Sequence, residues 1–309
     1  MSVYTLITPS ELERFLNRYS FGPLIRFEGI ADGIENTNYA VTTSCGDFVL
    51  TIFESVPANE LTPYWDLLAY LDNAGVPCPV AQYDRSGNRL QTLGQKPAAL
   101  FKRLPGAAVR RPSIAQCHSI GQHLARLHLH SRDYLLARTN PYDLTGCKRI
   151  FEQIVHNLPE HDALLIENEL EFQTALPLAK LPKGAIHGDL FKDNVLFNGD
   201  SVSAVLDFYS ACIDTLLLDL AITVNDWCAE KGVLNSDKAK ALVAGYESLR
   251  PLLRQERQYW TAMLRTAALR FWLSRLRHCF YPRPAEITLP KDPQVFRRLL
   301  LSNSQFEAW

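Results

Sequence analysis

Apolar positions along the chain switch period several times, and the switches outline the elements. Thr8-Pro9-Ser10-Glu11 carries a capping Thr, Pro at the first helical position and Glu three residues after the cap, which predicts a helix start. Leu12, Phe15, Leu16 and Tyr19 then fall on one helical face. Residues 38–43 and 48–53 read as two strands joined by a turn at Cys45-Gly46-Asp47. Residues 60–73 read as a helix, with Pro63 in its first turn and Gly75 as a stop. A further strand is expected over 98–103, after the polar hairpin-like stretch 84–96.

Past Leu104-Pro105-Gly106 the helical period dominates. Ile114, Cys117, Ile120, Leu124 and Leu127 trace one face of an amphipathic helix, and 242–276 is helical in two or more segments. The exception is 186–208, where apolar runs 194–197 and 204–206 flank the turn Asn198-Gly199-Asp200, a hairpin inside a helical region. The expected fold class is therefore α+β: a small antiparallel front lobe over residues 1–104, a hinge, and a larger, mainly helical lobe over 105–309 with an embedded hairpin.

Composition changes this picture little. Apolar residues make up 47% and charged residues 21% of 309, a globular balance, and the formal charge of -1 gives no electrostatic reason to expect nucleic acid or an anionic membrane as partner. The first twenty residues lack the apolar run of a signal peptide, and no stretch is long and apolar enough for a membrane span. Seven scattered cysteines without a C-x-x-C pair suit a reducing compartment, so the expected location is cytoplasmic.

The chemistry-bearing segment is His187-Gly188-Asp189-Leu190-Phe191-Lys192-Asp193-Asn194, followed by an apolar strand and later by Leu206-Asp207-Phe208. Phosphoryl transfer to a hydroxyl needs an aspartate to accept the hydroxyl's hydrogen bond and hard oxygen ligands for Mg²⁺ against the ATP phosphates. Asp189 suits the first role; Asn194 and Asp207 suit the second, with the Asp189-to-Asn194 spacing of the kinase catalytic loop. His187 is grouped with Asp189 as a catalytic residue, and bracing the loop is favoured for it over proton transfer. A metal-dependent hydrolase ligated by His187, Asp189, Asp193 and Asp207, and a nucleotide-binding module without transfer activity, are the readings from other classes.

With Gly188 in place of the kinase Arg, the His-Gly-Asp loop resembles the aminoglycoside phosphotransferase and choline kinase superfamily. Within it, nearly the whole chain is similar to the bacterial homoserine kinases, through Asn225-Asp226-Trp227-Cys228 and the block from Arg270 to Leu276. The resemblance implies a bilobal protein-kinase-like fold, ATP and Mg²⁺ as cofactors, L-homoserine as small-molecule partner, and O-phosphohomoserine on the route to threonine as product. The alternative is choline, ethanolamine or another amino alcohol as acceptor. Gly33, Ile34, Glu35, Asn36, Thr37 and Asn38 would form the loop over the phosphates. At the usual strand Lys stands Thr51, so Lys102 or Arg26 is considered as the substitute cation. A zwitterionic acceptor needs a cation and carboxylate or carbonyl oxygens; Asn225, Asp226, Arg270 and Arg275 are the candidates, against a structural salt bridge of these Arg residues to Asp219 or Asp226. Seven Arg against one Glu over 250–277 argue against a polycationic aminoglycoside.

Overall fold

The computed structural model describes residues 3–30, 36–136, 138–282 and 291–303. The chain divides into two compact units. One holds the described residues of Met1–Asn73 and Pro77–Pro105; the other holds Ala74–Val76 and the described residues of Gly106–Pro282 and Pro290–Trp309.

In the first unit α1 (Pro9–Leu16) starts as the sequence predicts: Thr8 and Glu11 complete a reciprocal capping box. Its buried face of Leu12, Phe15 and Leu16 packs on a five-stranded antiparallel sheet of order β1 (Leu24–Ile30), β2 (Thr37–Thr43), β3 (Gly46–Ile52), β5 (Lys96–Lys102), β4 (Gln91–Leu93). Tyr39, Val41, Phe48, Leu50, Ile52, Ala98 and Leu100 form the sheet's side of that core. Burying one such side chain stabilises by about 1.5–3 kcal/mol. The β2–β3 turn falls at Ser44-Cys45, so Asp47 lies in the strand, where its carboxylate accepts from the Thr42 hydroxyl. α2 (Ala58–Asn73) begins two residues before the expected Glu60, which leaves Pro63 inside the helix rather than in its first turn. Trp65 of α2 meets the rings of Phe53 and Phe101.

The second unit begins with β6 (Ala107–Ala108) and α3 (Ile114–Ser131), capped by Ser113. The expected apolar face of α3 is buried except at Ile114, which follows the cap directly and is exposed. Then come α4 (Leu144–Ile154), α5 (Glu160–Thr174) and β7 (Lys183–Ile186). The expected hairpin is β8 (Val195–Asn198) with β9 (Ser201–Val205), turning at Gly199 with φ +61°; β6 pairs on its outer edge. β10 (Cys212–Thr215) pairs antiparallel with β7. The helical remainder is α6 (Leu216–Trp227), the short ribbon β11 (Ala229–Glu230) and β12 (Val233–Leu234), α7 (Ser236–Glu247), α8 (Arg254–Gln258), α9 (Trp260–Phe280) and α10 (Gln294–Asn303). α3 and α7 cross backbone to backbone: a Cβ on Gly121 would lie 2.0 Å from the Leu242 carbonyl, and one on Gly245 2.1 Å from that of His118. Among the described residues no helix is long and apolar enough to cross a membrane.

Candidate active site

β7 delivers the chain to His187-Gly188-Asp189, and the interior of the second unit grips the backbone there. Asp219 of α6, fully buried, accepts the N–H of His187 at 2.8 Å and of Gly188 at 2.9 Å. His128 of α3 donates from Nε2 to the same carboxylate (3.1 Å) and takes the Tyr246 hydroxyl on Nδ1 (2.7 Å). Burial pushes the Asp219 carboxyl up, but the hydrogen bond from His128, with the Gly188 N–H, outweighs it and leaves the pKa below the ordinary value. Arg270 of α9, only 4% exposed, donates to the Gly188 carbonyl at 2.5 Å. Gly188 has φ +75°, and a Cβ there would meet the Ser210 carbonyl at 2.8 Å, so glycine is required.

His187 is completely buried. Its Nε2–H donates to the Leu206 carbonyl (2.9 Å) and its Nδ1 accepts the Asp189 N–H (3.2 Å). Burial holds its pKa below the ordinary value. Both nitrogens are spent on the loop, so the ring braces and does not reach an acceptor. The hydrolase reading, which needs His187 as a metal ligand, loses it for the same reason.

Asp189 is half-buried, and its carbonyl accepts from Phe191 N–H (2.8 Å) and Asn194 Nδ2 (2.9 Å). Nδ2 also lies 3.4 Å from the Asp189 carboxylate. The Asn194 Oδ1 is left for a cation. The Leu206 N–H donates to the Asn194 carbonyl at 2.8 Å, so the hairpin brings Asp207 beside Asn194. Asp207 is exposed and left-handed, φ 56° and ψ 66°, a conformation costing an ordinary residue about 1–2 kcal/mol. An amide oxygen and a carboxylate suit a hard cation that keeps its other places for phosphate and water. Among the described residues no cluster of three or more His, Cys, Asp or Glu could cage a metal by itself.

The four acceptor candidates separate into two kinds. Asn225 is 1% exposed, donating to the Leu264 carbonyl (2.8 Å) and accepting from Asn303 (2.9 Å); it ties α6 to α9 and α10 and is not a ligand-facing group. Arg270 likewise serves the Gly188 carbonyl and lies over the rings of Tyr142 and Phe271. The alternative, a salt bridge of these Arg residues to Asp219 or Asp226, does not form: Asp219 is taken by the loop amides and His128, and Asp226 accepts the Lys192 N–H. Asp226 and Arg275 are both half-buried at the loop's flank. The sequence reading missed His128 and Tyr246; Asp219 inside the apolar run of α6 was the available signal, since a buried carboxylate requires donors.

In the first unit, Gly33, Ile34 and Glu35 lie outside the described residues. Asn36 accepts the Glu54 N–H (3.4 Å), and the fully buried Thr37 hydroxyl accepts from the N–H groups of Tyr4 and Thr5 and donates to Glu54 (2.6 Å). Both side chains are spent on anchoring the chain, so any contact of this stretch with phosphate would fall to its backbone N–H groups. The Thr51 hydroxyl donates to Asn38 Oδ1 (2.8 Å), pairing those two candidates with each other. Lys102 pairs with Phe48 and continues the face of Leu100 and Ala98, whereas Thr51 pairs with Ala99. Strand alternation therefore turns Lys102 to the opposite face from Thr51, and it is not the substitute cation. Arg26 pairs with Thr42 and shares Asn38's side of the sheet, but it sits four residues along β2, roughly 13 Å away.

Asp219 and Arg270 thus hold from the interior the backbone of a loop that carries the half-buried Asp189, with the Asn194 amide oxygen and the left-handed Asp207 beside it, an arrangement suited to phosphoryl transfer. The chain belongs to the phosphotransferase enzyme family, whose profile matches residues 26–252. Its curated relatives include homoserine kinases of Methylobacillus flagellatus, 40% identical over 301 residues (97% of this chain, 94% of that one), and of Burkholderia multivorans, 40% identical over 314 residues (97% and 95%). Two solved structures share the fold: an amicoumacin kinase in complex with AMP-PNP and Ca²⁺, with TM-score 0.73 at 15% identity and covering 97% of this chain and 93% of that one, and a microcompartment-associated aminopropanol kinase, with TM-score 0.65 at 17% identity, 96% and 95%.

Proposed function

We propose that the protein is a homoserine kinase, moving the γ-phosphoryl group of Mg-ATP to the side-chain hydroxyl of L-homoserine in the cytoplasm, on the route to threonine. The observation that carries this reading is the 40% identity to homoserine kinases along 97% of the chain. The loop supplies a mechanism in keeping with it. Asp189, its carbonyl fixed by Asn194 and Phe191, accepts the hydroxyl's hydrogen bond and orients the oxygen. As the new oxygen–phosphorus bond forms and the β,γ-bridging bond breaks, the electron pair leaves with ADP and the hydroxyl proton passes to the Asp189 carboxylate. Asn194 Oδ1 and the Asp207 carboxylate would hold Mg²⁺, which would supply charge neutralisation at the phosphates. The chain's own share is positioning and charge placement.

The test is ADP release from Mg-ATP with L-homoserine, ethanolamine, choline or an aminoglycoside, in wild type and Asp189→Asn. Release is expected with homoserine alone, falling by about 10²–10⁴-fold in the variant while the unfolding midpoint holds. Release driven by another acceptor would discard the homoserine reading; a variant with wild-type kcat would discard Asp189.

A further inference from the structure

We propose that Arg275 and Asp226 form a zwitterion-reading pair beside Asp189, the guanidinium taking the acceptor's carboxylate and the Asp226 carboxylate its ammonium group. This rests on the homoserine kinase reading and deepens it by naming what selects an amino acid over an amino alcohol.

The geometry places both groups on the catalytic loop's flank. Asp226, at the end of α6, accepts the Lys192 N–H on Oδ2 at 2.8 Å, with the Lys192 ammonium at 3.9 Å. It is thereby fixed to a loop residue three positions past Asp189. Its Oδ1 meets no protein donor among the described residues. Arg275 spends Nη1 on the Asp292 carbonyl (2.8 Å) and lies 4.4 Å over the Phe296 ring. No carboxylate stands within salt-bridge distance of it among the described residues. Phe296 stacks with Phe271 (5.2 Å) and Phe191 (6.1 Å), and Phe191 donates its N–H to the Asp189 carbonyl. The guanidinium is thus seated on the aromatic cluster that supports the catalytic aspartate.

The electrostatics agree. Burial pushes the Asp226 carboxyl up, against the nearby Lys192, so an added cation would be welcome there. Burial lowers the Arg275 pKa, opposed by Asp226, Asp189, Asp292 and Asp193; the guanidinium is within electrostatic range of both Asp189 and Asp226 without being neutralised by either. Lys291, the neighbouring cation, is already paired with Asp193 at 2.7 Å. In homoserine only three bonds separate the hydroxyl oxygen from the α-carbon, so a head group must bind on Asp189's immediate flank. A planar guanidinium reads a carboxylate through two parallel hydrogen bonds, and an acceptor lacking that group leaves it unanswered.

Two half-molecules of homoserine separate the roles: 3-aminopropan-1-ol lacks the carboxylate and 4-hydroxybutanoate lacks the amine. Each is measured as a competitor against L-homoserine in wild type, Arg275→Gln and Asp226→Asn, with ADP release as readout. In Arg275→Gln the inhibition constant of 4-hydroxybutanoate should rise about 30-fold or more while that of 3-aminopropan-1-ol stays within about threefold; Asp226→Asn should give the reverse. Asn keeps an oxygen for the Lys192 N–H, and Arg275→Lys, keeping charge without the fork, should fall between wild type and Gln. Variants that weaken both competitors alike, or neither, would overturn the pair, as would a wild type that neither competitor inhibits. Wild-type ADP release that does not need L-homoserine would instead overturn the functional reading, and shows before any variant is made.

Discussion

Asp219→Asn tests whether the catalytic loop is held from the interior of its own unit. The wild-type carboxylate answers three donors: the N–H groups of His187 and Gly188 and Nε2 of His128. Asparagine offers one oxygen, and its amide N–H₂ must face one of the two backbone N–H groups. One charge-assisted hydrogen bond is lost, worth about 1.5–3 kcal/mol, and one buried N–H is left without an acceptor, at about 1–3 kcal/mol. The expected loss is therefore roughly 2.5–6 kcal/mol, read as a lowered urea midpoint at neutral pH with an unchanged m-value. Catalysis should fall as well, because a loop displaced by an ångström costs on the order of 10²-fold, although Asp219 touches no reactant. Asp189→Asn should lose rate with little stability, and Asp219→Asn should lose both. A stability loss below about 1 kcal/mol with kcat within twofold of wild type would refute the reasoning, since the loop would then be held by something else.

Two further outcomes follow from packing and charge. Gly121→Ala forces a methyl against the Leu242 carbonyl and Tyr246 N, at 2.0 and 2.9 Å; as neither backbone group can turn away, α3 and α7 must part, and a loss of about 2–3 kcal/mol, roughly 4–12 °C in Tm, should appear in calorimetry without a change in KM. In the first unit Glu54 is desolvated, yet its hydrogen bonds from Lys96, Thr37 and Thr5 leave its pKa below the ordinary value. A depressed folded pKa contributes stability above the unfolded value near 4.5, lost as pH falls through the folded one. Denaturant titrations should show wild type above Glu54→Gln at pH 7 and the gap closing below about pH 4.5; a gap independent of pH would contradict the assignment.

Much of the fold was legible because it is written in local chemistry. The Thr8 box, the Asn198-Gly199-Asp200 turn and the α3 periodicity each act within a few residues of themselves. β7 and β10 were not legible: each has four residues, and they pair across the whole of residues 187–211. The candidate loop was legible through spacing, because Asp189, Asn194 and Asp207 lie on one continuous stretch. Asn225 and Arg270 misled as acceptor groups for a physical reason. A polar residue in an apolar helix signals a buried partner, but here those partners are the carbonyls of Leu264 and Gly188, and a backbone carbonyl leaves no mark in a sequence. The partners of the Thr37 hydroxyl were hidden in the same way, being the amides of Tyr4 and Thr5.

The histidine that opens the loop shows why bracing and proton transfer exclude each other here. Nδ1 must accept from the Asp189 N–H while Nε2 donates to the Leu206 carbonyl, an arrangement open only to the neutral ring with its proton on Nε2. A second proton would set donor against donor at Asp189, where misplacement costs most. Burial lowers the pKa and favours the neutral form, so the same desolvation that makes His187 useless as a proton carrier keeps the loop's geometry constant near neutral pH. The Leu206 carbonyl precedes Asp207, and the Asp189 amide belongs to the residue proposed to receive the substrate's proton. A single uncharged ring thus ties the Asp189 end of the loop to the Asp207 end, and in the proposed mechanism the acid–base work falls to Asp189.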